Sequence, residues 1–144
     1  MGWFSPRRNP QDPHQLRIAV HELGHAAVWA DAGLTITEIV HSGDDGHCSV
    51  EWDPNNLAGY AVGCWGGFEA EDRWLRHHRS GHASRGNAGY DIRNFRHVSK
   101  GLDTRLSEGK ARSLARAAVG RHWDRINTLA PRLIAAGRLT NIRL

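Results

Sequence analysis

The chain has little of several things that would have defined its class at once. It carries only two cysteines, Cys48 and Cys64, sixteen positions apart. They build neither a disulfide framework nor a cysteine-rich zinc site, and are expected to be reduced and structural. There is no long apolar run. The longest uncharged apolar stretch, residues 55–68, falls short of the roughly 18 residues needed to span a bilayer and holds four glycines, so a transmembrane protein is not expected. Residues 1–13 include two arginines but no apolar segment of signal-peptide length after them, which makes the cytoplasm the expected compartment. No internal repeat of 20–50 residues is visible. Lysine supplies only two of the 19 basic residues, the rest being arginine. A net charge of +4 and a pI of about 9.7 therefore permit an acidic partner without requiring one, and weigh little in favour of nucleic acid.

What is present fits one ordinary domain. At 144 residues, a second independent core would leave each half with about 70. The expected division is an N-terminal extension, 1–12, and one compact domain, 13–144. Its expected class is mainly α (α+β): a first helix, a small β-hairpin, a glycine-rich second helix and C-terminal helices.

The first helix is signalled by Asp12-Pro13, with Asp as cap, Pro at the first position and Gln15 as the return partner of a capping box. Gly33 is its stop. Leu16, Ala19, Val20, Leu23, Ala26, Ala27 and Ala30 cover one broad side, and Ile18, Val28 and Trp29 share the other with two histidines. Such a helix is a buried one. Residues 34–41 and 47–52, rich in β-branched side chains around a Ser-Gly-Asp-Asp-Gly turn, predict the hairpin. Asp53-Pro54 should start a single second helix running to about His78. Its Gly59, Gly63, Gly66 and Gly67 are explained by close approach to a neighbour. After a polar loop, 79–90, come helices from Asp91 to Lys100 and from Ser107 onward, the last kinked or split at Pro131.

The chemistry lies in His21-Glu-Leu-Gly-His25. Histidines at i and i+4 share one helical face and can hold one zinc through their imidazoles, with Glu22 beside the metal as base. A random match is expected about 0.03 times in a chain of this composition, and the apolar surroundings of this one make it more specific still. The bland alternative is a pair of core histidines bonded to carboxylates. A hydrolytic zinc site takes a third protein ligand and leaves a position for water. Asp91 and the second-helix acids Glu69, Glu71 and Asp72 are the candidates, and spacing does not choose among them.

Three segments, in this order, resemble the zinc peptidase domain of the FtsH-type ATP-dependent metalloproteases. Residues 20–26 (VHELGHA) resemble that family's His-Glu-Ala-Gly-His-Ala. Residues 66–72 (GGFEAED) resemble Gly-Gly-Arg-Ala-Ala-Glu-Glu through Gly66, Gly67, Ala70, Glu71 and Asp72. Residues 87–92 (NAGYDI) resemble Gly-Ala-Ser-Asn-Asp-Leu through Ala88 and Asp91, and residues 122–140 resemble the closing helix. The resemblance covers roughly residues 13–140 and implies Asp91 as the third zinc ligand. Phe68 and Glu69 depart from the family's Arg and Ala, and Gly89-Tyr90 from its Ser-Asn. A membrane helix, a Walker loop and room for an ATPase domain are all missing, so a stand-alone, ATP-independent peptidase domain is expected.

The resulting expectation is a zinc-dependent endopeptidase: His21, His25 and Asp91 hold Zn2+, and Glu22 activates the zinc-bound water. Its substrates would be unfolded polypeptides or proteins delivered by an unfoldase or adaptor, held along an exposed hairpin edge. One alternative is a protease specific for a single regulator. Another is a non-catalytic basic interaction module whose structural zinc is closed by a fourth ligand, Glu69 or a loop histidine. His77, His78, His82, His41 and His47 read as solvated loop residues, and the late arginines (Arg105, Arg112, Arg116, Arg121, Arg125, Arg132) as a solvated face. Tyr60 and Tyr90 fall near the inferred site without an assigned role. Cleavage specificity and oligomeric state are not encoded legibly.

Overall fold

A computed structural model describes residues 7–144. Among them are six helices and three short strands: α1 (Pro13–Asp31), β1 (Ile36–His41), β2 (Gly46–Val50), α2 (Leu57–Gly63), α3 (Gly66–His77), α4 (Gly89–Ser99), α5 (Glu108–Arg121), α6 (Trp123–Ala136) and β3 (Arg138–Leu139). The class is α+β, mainly α. No helix among the described residues is long and apolar enough to cross a membrane.

α1 is the axis of the fold, packed against α2, α3, α5, α6 and the hairpin. Its all-round apolarity is thereby used: Ala19, Val20, Leu23, Ala26 and Ala27 are fully buried, and Val28 and Trp29 nearly so. The Asp12 side chain caps it by accepting from the Gln15 amide. The expected return bond of a capping box is replaced. The Gln15 side chain instead accepts from the Asn9 amide and donates to the Arg7 carbonyl. Residues 7–12 of the expected extension are thus tied to the domain, with Arg8 donating to the carbonyls of His41 and Ile134. Residues 1–6 of that extension lie outside the described residues.

The hairpin is part of a three-stranded antiparallel sheet of order β2-β1-β3. In it Val40 pairs with His47 and His41 with Gly46, while β3 adds to the other side of β1 through Ile39–Leu139 and Val40–Arg138. β3 is too short to show in the sequence pattern. It is placed by Gly137, whose φ of +77° ends α6 and turns the chain back to the sheet. β2 and the two-residue β3 are the sheet's edges, β2 the longer.

Two helical expectations need correction. The second helix is two. Asn56, not Asp53, caps α2 by accepting from Gly59, and the helix breaks at Cys64-Trp65 before α3 begins. The late helix also divides, but at His122, and Pro131 sits inside α6. A helix interior accepts proline at some loss when packing holds both sides of it, and here Ile126, Leu129, Ala130, Leu133 and Ile134 of α6 are all buried.

α1 and α3 cross where side chains are smallest. A Cβ on Gly66 would lie 2.5 Å from the Gly24 carbonyl oxygen, and one on Gly24 would collide with Gly66 and Ala70. A Cβ on Gly63 would enter the Trp29 ring. The glycines that weaken α2 and α3 as isolated helices are what let them approach the helix bearing the histidines.

Candidate metal centre

Three elements deliver the site. α1 presents His21, Glu22 and His25. The α2–α3 segment presents Gly63, Gly67 and Glu71, and the first turn of α4 presents Asp91. His21, Glu22 and His25 each offer an atom within 4.8 Å of the others and so could hold a metal ion. Asp91 lies closer to the imidazoles than that. Its Oδ2 is 3.1 Å from Nε2 of His21 and 3.1 Å from Nε2 of His25, and those two nitrogens are 3.2 Å apart. The three atoms form a nearly equilateral triangle. Its edges come close to the roughly 3.3 Å separating tetrahedral ligands that each sit about 2.0 Å from zinc.

The far side of each ring explains why this triangle suits a cation. Nδ1 of His25 is 2.8 Å from the Gly63 carbonyl oxygen, which can only accept, so Nδ1 carries the proton and Nε2 a lone pair. Nδ1 of His21 is 3.2 Å from Glu71 Oε1, with the same consequence. Once the proton shared with Asp91 is displaced, two lone pairs and a carboxylate oxygen converge on one point. Donors held in this way by carboxylate and carbonyl partners are the usual support of metal-ligating histidines. Glu71, itself buried and paired with Arg17 at 3.4 Å, is one such partner. The break at Cys64-Trp65 supplies the other, because in a continuous helix the Gly63 carbonyl would be engaged by the Gly67 amide.

Without a metal the same geometry has an electrostatic solution. Burial lowers the His21 imidazole, but the hydrogen bonds to Asp91 and Glu71 and the charge of Glu22 outweigh it and carry the ring up to about 10. Burial acts on Asp91 in the opposite sense and is likewise overcome, here by the two imidazoles, which hold it well below the usual carboxylate range. A metal must therefore displace a bound proton. The raised imidazole stabilises the metal-free fold fully below its ordinary pKa of about 6.5, and that stabilisation is lost as pH rises toward 10. Chelator-treated protein should thus lose thermal stability between pH 6.5 and 10, while the stabilisation gained on adding metal grows over the same interval. A metal-induced shift in Tm that is flat across this range would contradict the ligand assignment.

Glu22 makes no hydrogen bond to the donor triangle of His21, His25 and Asp91. It is buried, and burial, outweighing the neighbouring imidazoles, raises its carboxyl above the ordinary value. Gly46, at the start of β2, covers it: a Cβ there would lie 2.9 Å from Glu22 Cγ. Among the described residues its carboxylate has no hydrogen-bond or ion-pair partner, which leaves it free toward a cavity of about 240 Å³. That cavity is also lined by His21, His25, Asp91, His47, Tyr60 and Tyr90.

The other acids are occupied elsewhere. Glu69 faces α5, where it pairs with Arg116 at 2.9 Å and Arg112 at 3.4 Å. Asp72 accepts from the Ala83 amide and pairs with Arg76. Glu69→Ala should therefore keep the metal while losing about 1–3 kcal/mol of stability, checked by metal analysis and denaturant unfolding. Two of the late arginines read as a solvated face are, in fact, the partners of this buried acid. His41 also differs from expectation. It is fully buried, with Nε2 donating to the Gln15 carbonyl at 3.0 Å and Nδ1 accepting from the Gly43 amide at 3.1 Å, and so fastens the hairpin to α1.

Gly67 is a site residue that the motif alone does not assign to the metal. A Cβ there would lie 2.5 Å from Nε2 of His21 and of His25 alike. Gly67→Ala must push the two ring nitrogens out of the triangle, so most of the bound metal should be lost while helix content is kept. Metal retained at the native level would show that the rings are not held where described.

Compared with known proteins, the chain matches no family model and no curated protein. The functional reading therefore rests on the residues and their geometry.

Proposed function

We propose that this chain is a zinc-dependent endopeptidase of the kind seen in FtsH-type peptidase domains, acting in the cytoplasm on unfolded polypeptides or on proteins handed over by an unfoldase or adaptor. The observation that carries the reading is the triangle of His21, His25 and Asp91 donor atoms with the unpartnered, partly desolvated Glu22 carboxylate beside it. The donors fit zinc in type and spacing: two imidazoles whose Nδ1 protons are committed, leaving Nε2 for the metal once its proton is displaced, and one carboxylate. Bound there, zinc would supply Lewis acidity and bring the pKa of water down to about 7.

The chain's own residues do the rest. Glu22, whose carboxyl burial raises above its ordinary value, would take a proton from water and return it to the amine nitrogen that leaves. Glu71 and the Gly63 carbonyl keep both imidazoles in the tautomer with a free Nε2. β2 is an edge strand that lines the cavity through Gly46, His47 and Cys48, so an extended peptide added along it runs past Glu22. A structural zinc closed by Glu69 is disfavoured by that residue's pairing with Arg112 and Arg116.

Purified protein should hold about one zinc per chain, and His21→Ala and His25→Ala should each lose it. Elemental analysis decides the point, and full zinc retention in either variant would remove the basis of the reading.

A further inference from the structure

The cavity beside Glu22 does not end at the donor triangle. Tyr90, 73% exposed at the start of α4, lines it and also lines a second, more open groove of about 670 Å³ between the 85–89 loop and the outer face of α4. The groove carries three arginines, and the one carboxylate at its edge, Glu108, is bound by Arg85 and acts on Arg96 only through space. Arg85 is neutralised by Glu108, with contacts of 2.8 and 3.0 Å from the guanidinium to the two carboxylate oxygens. Arg93 and Arg96, one turn apart on α4, line the groove and form no ion pair or side-chain hydrogen bond among the described residues. Arg112 and Arg116, by contrast, are paired with Glu69.

We propose that this groove binds an acidic stretch of the polypeptide substrate, with Arg93 and Arg96 as the specificity-determining residues. The proposal rests on the peptidase reading of the adjoining cavity. Distance sets where the acids fall. From Tyr90 to Arg96 the helix rises about 9 Å, the length of about three extended residues. Asp or Glu side chains roughly two to five positions from the scissile bond, on the side that leaves past Tyr90, would meet the two guanidinium groups. Exposed pairs of this kind are weak singly, so two should give a preference of about five- to tenfold, screened away by salt. The net charge of +4 adds to the same end by drawing acidic segments toward the site.

The test compares two peptides identical except for Asp and Glu against Asn and Gln at those positions. Hydrolysis is measured as kcat/KM with the zinc-loaded native chain, and binding by fluorescence anisotropy with zinc-loaded Glu22→Gln. Both readouts should favour the acidic peptide about five- to tenfold at low ionic strength. The preference should vanish in the double variant Arg93→Ala/Arg96→Ala, whose side chains are exposed and whose fold and zinc content are checked directly, and also in 1 M salt. Equal handling of the two peptides, or a preference that survives the double substitution, would overturn the groove assignment while leaving the peptidase reading intact. Preferential binding without hydrolysis would sink the peptidase reading and keep the groove as a site for acidic polypeptide. A single-stranded oligonucleotide of matched charge that displaces the acidic peptide at lower concentration would overturn the assignment in favour of phosphate recognition.

Discussion

Glu22→Gln should keep its zinc and its fold and lose about 10²- to 10⁴-fold in hydrolysis of an unfolded test protein, the range over which a positioned acid–base group contributes. The size of the effect follows from its surroundings. Glu22 stands within 4.8 Å of both imidazoles, yet Asp91 occupies the nearer position at 3.1 Å, so the glutamate is beside the ligand set rather than in it. Removing its charge leaves the donor triangle whole. Glutamine keeps the volume beneath Gly46, so the hairpin has no reason to move. Activity in kcat/KM and metal content must be measured on the same sample. Undiminished hydrolysis would place the base elsewhere, and loss of zinc would make Glu22 a ligand.

The second large effect separates ligand from support. Asp91→Ala removes one corner of the triangle, opens the coordination sphere and should lose zinc most severely of the acid substitutions. Glu71→Ala leaves all three donors but frees the His21 ring from the partner that fixes its tautomer, and the loss of such a partner typically weakens metal binding about 10- to 100-fold. Asp72→Ala should act only through the loop it holds at Ala83, and Glu69→Ala least of all on the metal. Competition with a chromophoric chelator ranks the four. If Glu71→Ala emptied the site while Asp91→Ala kept its metal, the third ligand would be Glu71 of α3 and the role of α4 would have to be redrawn.

How far the sequence was legible can be judged residue by residue. The buried character of α1 was readable because apolar positions surround His21 and His25 on every side, and its start because Asp12-Pro13 is a local signal. The hairpin was readable from β-branched residues about a glycine-rich turn. Glycines that no isolated helix would choose announce a close approach to a neighbour, but not that the neighbour is α1 or that the helix they lie on divides into α2 and α3. What escaped was governed by contacts between distant segments. The break at Cys64-Trp65 has no proline or cap to announce it, and its consequence, a free Gly63 carbonyl for His25, appears only when α2 lies against α1. His41 looked like a turn residue because its two hydrogen-bond partners are Gln15, 26 positions away, and a backbone amide in its own turn. Spacing could not choose among Asp91, Glu69, Glu71 and Asp72, because the choice depends on which face of each helix meets α1. Glu69 and Glu71, two positions apart on α3, point to opposite neighbours: the arginines of α5 and the ring of His21.

If this donor set serves peptide hydrolysis, new peptide termini must depend on the metal. That dependence is tested most directly by incubating the purified chain with an unfolded protein and reading new peptide termini by mass spectrometry, before chelation, after it, and after restoring one equivalent of zinc. Cleavage should disappear with the chelator and return with the single equivalent. One zinc bound per chain, with no new termini in any of the three samples, would contradict that role of the donor set and make the metal a structural one.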